Sequence, residues 1–91
     1  MPDKVHCAHI LVKSESEAKM VLERLKKGEK FGRVARAVSR CPSAKHGGDL
    51  GTFTRGKMVK EFENAAFALQ KGEVSDVVKT QFGCHVIKRL E

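Results

Sequence analysis

The sequence predicts an α+β domain in which strands and helices alternate and the chain closes on a hairpin. Three observations carry this. Val5–Val12 is an almost unbroken apolar run, as a central strand covered on both faces requires. Stretches beginning near Ala18, Phe31 and Phe62 repeat apolar residues at helical spacing. Val74–Thr80 and Cys84–Leu90 read as two strands linked by Gln81-Phe82-Gly83. The order β-α-α-β-α-β-β favours a mixed sandwich over a doubly wound parallel sheet.

Each element has a local reason. Ser14-Glu15-Ser16-Glu17 offers a capping box, with Ser14 as N-cap and Glu17 reaching back. Ala18, Val21, Leu22 and Leu25 then form one helical face, which Gly28 ends. Phe31, Val34, Ala35 and Val38 make a second helix that stops before Pro42. Cys41–Gly51 is a loop, with a tight turn at Gly47-Gly48-Asp49. Leu50–Thr54 is a short strand and Arg55-Gly56 a turn. Phe62, Ala65, Ala66 and Leu69 line a third helix, closed by Lys71-Gly72-Glu73.

Ninety-one residues suit a single domain spanning 1–91, with 41% apolar and 32% charged residues. No apolar run approaches the roughly 18 residues of a membrane span, so no membrane partner is expected. Met-Pro-Asp-Lys-Val-His-Cys lacks the apolar core of a signal peptide, which points to the cytoplasm. Cys7, Cys41 and Cys84 are odd in number and form no C-x-x-C pair, so free thiols in a reducing compartment are expected. These cysteines and His6, His9, His46 and His85 match no zinc spacing, so no metal and no cofactor are expected. A formal charge of +7 could attract nucleic acid, but the lysines are scattered rather than blocked, which fits solubility better.

Taken alone, His9 and His85 read as strand histidines with satisfied nitrogens, and Leu50, Met58, Phe62 and Phe82 as core. Cys41, beside Arg40 and ahead of Pro42, is the one candidate nucleophile. A Cys hydrolase also needs a base and an oxyanion hole, and no nucleophile elbow is present.

Four stretches in register change these odds: Ala-His-Ile-Leu-Val at 8–12, Ser39–Gly51, Phe53–Phe62, and Gln81–Ile87. In this order they resemble the parvulin family of peptidyl-prolyl cis/trans isomerases. The resemblance implies a four-stranded antiparallel sheet surrounded by about four helices, β-α3-β-α-β2, with a short helical turn near Ser43–Lys45. It implies a catalytic network of His9, His85 and Thr80, with Cys41 as a polar group near the reacting amide. Leu50, Met58, Phe62 and Phe82 would line a proline pocket, with Met58 and Phe62 in an open wall rather than a filled core. The implied partners are proline-containing segments of unfolded or flexible proteins, met by a monomer that assists folding.

Two features depart from the family's pattern. Phosphate-directed members carry a basic loop after the first strand, whereas here Glu15 and Glu17 follow Lys13. Phosphate direction is therefore not expected. Cys84 also stands where a bulkier residue is common, which bears on the floor of the pocket.

Overall fold

A computed structural model describes residues 4–91. Met1-Pro2-Asp3, part of the stretch expected to carry no leader, lies outside them. The elements are β1 (Lys4–Val12), α1 (Glu15–Lys26), α2 (Phe31–Val38), a 3₁₀ turn (Pro42–His46), β2 (Asp49–Thr54), α3 (Lys60–Ala68), β3 (Val78–Thr80) and β4 (Gly83–Arg89). The strands form one antiparallel sheet in the order β2-β1-β4-β3. The α+β class, the four strands and the extra helical turn are those the sequence led us to expect.

Alternation along the two central strands divides the interior. Ala8, Ile10 and Val12 of β1 pack with Cys84 and Val86 of β4 beneath α1 and α2. Val5, Cys7 and Ile87 face the other way, with Phe53 of β2, and meet Phe62 and Ala66 of α3. Burying each valine, isoleucine or phenylalanine among them contributes about 1.5–3 kcal/mol. His9 and His85 lie on the α3 side, and both are buried. Cys84 faces α1 and α2, so it does not contribute to a floor on the histidine side.

Ser14 caps α1 as expected, its hydroxyl accepting the Glu17 N–H at 3.3 Å. Glu17 does not complete the box through the backbone; its carboxylate accepts the Ser14 hydroxyl. The strand predicted over Val74–Thr80 is shorter than expected. Val74 makes only an isolated bridge to Lys88, and β3 begins at Val78. Two side chains explain the gap. The Ser75 hydroxyl accepts the Ile87 N–H at 2.9 Å in place of a backbone carbonyl. Asp76 then takes the Val77 N–H at 2.8 Å, diverting it from the ladder.

Gly48 holds the loop against β1. Its φ is +83°, and its carbonyl accepts the His9 N–H at 2.9 Å. A Cβ here would collide with the His9 carbonyl oxygen. Only glycine permits this approach.

Candidate active site

His9 on β1 and His85 on β4 come from opposite ends of the chain. Antiparallel pairing sets His9 opposite Ile87 and His85 opposite Leu11, so the two imidazoles are diagonal neighbours on one face. Their Nδ1 atoms are 2.9 Å apart, and the rings stack at 22° with centroids 5.1 Å apart. Thr80 Oγ1 lies 2.7 Å from His85 Nε2 and accepts the Phe82 N–H at 3.1 Å.

This chain of groups admits two proton arrangements. In one, His9 donates from Nδ1 to His85, whose Nε2–H donates to Thr80. In the other, the Thr80 hydroxyl donates to His85 Nε2, and His85 Nδ1–H donates to His9. The one proton in the Nδ1–Nδ1 contact makes the accepting ring neutral. Burial disfavours charge on both rings: it pushes His9 down to about 4, aided by repulsion from His85, and it also lowers His85. His9 Nε2 is buried without a hydrogen-bond partner among the described residues.

Phe62 of α3 closes this network from above. Its ring meets His9 edge-on at 5.5 Å and His85 at 5.2 Å. A mainly apolar cleft of about 490 Å³ opens over the same residues. His9, His85, Phe62, Leu50, Met58, Cys41 and Phe82 all line it. The structure thus brings seven of the eight expected residues to one cleft, and the eighth, Thr80, reaches it through His85.

One expectation changes. Phe62 is 3% exposed and belongs to the core under α3, so it is core and cleft wall at once. Met58 precedes the Val59 N-cap, half-buried at the end of the turn after β2. Phe82 is 63% exposed and stands at the rim.

Cys41 is half-buried at the start of the 3₁₀ turn. Neither histidine is bonded to it, because their nitrogens bond each other and Thr80 or, for His9 Nε2, nothing among the described residues. There is no Cys–His couple to activate a nucleophile. Cys7 is less reactive still, since burial pushes its thiol up to about 11.

Sequence reasoning missed several participants. Leu11, Arg40, Pro42, Lys57 and Val59 also line the cleft. Ser39 accepts the Leu11 N–H at 3.0 Å and tethers α2's exit to β1. Glu63, which reads as an ordinary surface acid of a helix, is buried and holds the turn before α3. A larger hollow of about 650 Å³, lined by Phe31, Arg36 and Lys88 among others, contains none of the expected residues. Among the described residues, no three His, Cys, Asp or Glu side chains converge to hold a metal ion. No described helix is long and apolar enough to cross a membrane.

The family described as Rotamase, PPIC-type PPIASE domain, matches residues 9–91. The chain is 57% identical over 86 residues to the foldase protein PrsA of Geobacillus kaustophilus, a match covering 93% of this chain and 31% of that protein. The chain therefore spans about a third of the curated relatives it matches. The crystal structure of PrsA from Bacillus subtilis superposes with a TM-score of 0.95 at 50% identity, over 98% of this chain and 35% of that one. Two solved structures of similar size cover the whole chain. Pin from Cenarcheaum symbiosum is 62% identical with a TM-score of 0.87, and 95% of it is covered. NmPin, the parvulin of Nitrosopumilus maritimus, is 53% identical with a TM-score of 0.89, and 99% of it is covered.

Proposed function

Since the chain belongs to the parvulin, or PPIC-type peptidyl-prolyl isomerase, family, we propose that it catalyses cis/trans rotation of X–Pro bonds without forming a covalent intermediate. The observation that carries this reading is the neutral His9–His85–Thr80 network lying under an apolar cleft walled by Leu50, Met58 and Phe62.

The chemistry follows from the amide. Rotation must break resonance, which costs about 18–20 kcal/mol. A catalyst gains by holding the twisted state more tightly than either planar one. The twisted amide is less charge-separated than the planar form, so a cleft poor in water favours it. In this reading Leu50, Met58 and Phe62 grip the pyrrolidine ring. A thioether and a flat ring suit a guest that changes orientation. Cys41 and the histidines set the polarity around the rotating carbonyl, and Phe82 contacts the residue beside proline. Thr80 holds the His85 ring in place through Nε2 in either proton arrangement.

The substrates in this proposal are proline-containing segments of unfolded or flexible proteins. The name foldase for PrsA and the description of a Campylobacter jejuni relative as SurA-like chaperones support such protein substrates. Glu15 and Glu17 in the first turn of α1 speak against phosphate direction. Three cysteines with no C-x-x-C pair fit a reducing cytoplasm, where in this proposal the chain works as a monomer. The test is exchange spectroscopy on an Ala-Pro peptide. Catalysed cis/trans exchange is expected, and binding without faster exchange would make this a peptide-binding module instead.

A further inference from the structure

We propose that the cleft selects X–Pro segments carrying a carboxylate side chain next to proline, and that Arg40 and Lys57 are the selecting residues. This rests on the isomerase reading and adds the substrate class to it.

The observation is one of charge. Of the twelve residues lining the cleft, Arg40 and Lys57 are the only cations, and no Asp or Glu lines it. His9 and His85 contribute no charge, because burial keeps both neutral. Arg40 and Lys57 are exposed, and neither is paired with a carboxylate among the described residues. Arg55, two residues before Lys57, contrasts with them: its charge is neutralised by Glu63 at 3.1 Å.

Both cations spring from fixed backbone. The Arg40 N–H donates to the Leu11 carbonyl at 2.8 Å, and Lys57 follows the turn that Glu63 holds through Gly56 at 2.6 Å. Each adjoins a residue of the cleft, Arg40 beside Cys41 and Lys57 beside Met58. A peptide seated with its proline among Leu50, Met58 and Phe62 therefore runs past both. Apolar walls weaken screening there, so a carboxylate at a flanking position gains more than on an open surface. The two cations come from separate loops, which suits single carboxylates better than one focused phosphate dianion.

The experiment is kcat/KM for two peptide series, with Glu, Gln, Lys or phosphoserine immediately before proline or immediately after it. A Glu/Gln ratio of about three- to tenfold is expected in at least one series, with Lys poorest. High salt should bring that ratio close to unity. Arg40→Gln and Lys57→Gln should each lower it, and the double variant should abolish it. The salt measurement uses the unaltered chain, so it decides the matter even if a variant folds poorly. A ratio near unity in both series, with peptides turned over normally, would overturn the selection and leave the isomerase intact. Phosphoserine preferred over Glu by more than tenfold would overturn the carboxylate assignment. No turnover of any peptide by folded protein would overturn both readings.

Discussion

The Glu63 carboxylate accepts the Gly56 backbone N–H at 2.6 Å, so a residue in α3 holds the turn that leads into that helix. Its second oxygen takes the Arg55 guanidinium at 3.1 Å, and that guanidinium lies 4.4 Å over the Phe67 ring. The turn delivers Lys57 and Met58 to the cleft. On the proposed function, Glu63 is thus a positioning residue that would act on substrate through Met58.

Glu63→Ala should raise KM more than it lowers kcat and should lower the melting temperature. Glu63→Gln keeps one acceptor for Gly56 and should rescue much of the KM. The Gly56 N–H, with Arg55 behind it, holds the carboxyl below its ordinary 4.5. A depressed acid contributes stability that is present above the unfolded pKa and lost as pH falls through the folded one. The acid loss of stability in the native chain should therefore be smaller in Glu63→Gln. An unchanged KM in Glu63→Ala would end the positioning role.

The histidine pair should give a separate pH window. Burial, and then His85, lower His9 from 6.5 to about 4. Between those values the unfolded chain holds a proton that the folded ring refuses. The ring's contribution to stability should be full above about 6.5, fall as pH drops toward 4, and level off below. Thermal melts across this range test it, and a flat profile would contradict the neutral network. Replacing either histidine by Asn, which still donates and accepts, should reduce turnover less than replacement by Leu. Equal and complete loss in both, with normal melts, would favour direct proton transfer.

The two cleft phenylalanines should separate stability from binding. Phe62→Ala removes a buried ring packed on His9, His85 and Phe53, and should cost about 3–5 kcal/mol along with most activity. Phe82→Ala removes a ring that is 63% exposed, so the melt should hardly move while KM rises. A destabilised Phe82→Ala with native KM would show that this ring packs on the protein instead of substrate.

Cys41 decides between twisting and covalent chemistry. Ser and Asp leave a small polar group near the carbonyl and should retain substantial activity, while Ala should lose more. Alkylation can block the cleft by bulk alone, so mass spectrometry during turnover is the sharper measurement. A peptide adduct on Cys41, with the Asp variant dead, would refute the non-covalent mechanism.

Much of this was legible in the chain, and the limits have particular causes. His9 and His85 were readable as members of one site only because the flanking stretches matched a family; in each local window they looked like ordinary core histidines. Phe62 was readable as apolar helix face but not as both core and wall, because a helix pattern shows which face is buried and not where the burial ends. Val74–Thr80 looked like one strand because apolar spacing cannot reveal that Ser75 and Asp76 take backbone hydrogen bonds for themselves. Glu63 escaped notice because a carboxylate on a helix is usually solvated, and its partners lie across a turn whose path no spacing rule predicts.

The sequence by itself determined the class and the element order, since periodicity, capping and turn chemistry are local and written in adjacent letters; the candidate residues came from the resemblance of four stretches to a family. Tertiary structure alone decided which candidates meet. Antiparallel register set two imidazoles 2.9 Å apart across 76 positions, and burial then made them neutral. Packing also left Arg40 and Lys57 facing the cleft while matching Arg55 and Lys79 with acids. Such pairings depend on distances between segments remote in the chain, and on how much water the fold excludes, neither of which any local pattern encodes.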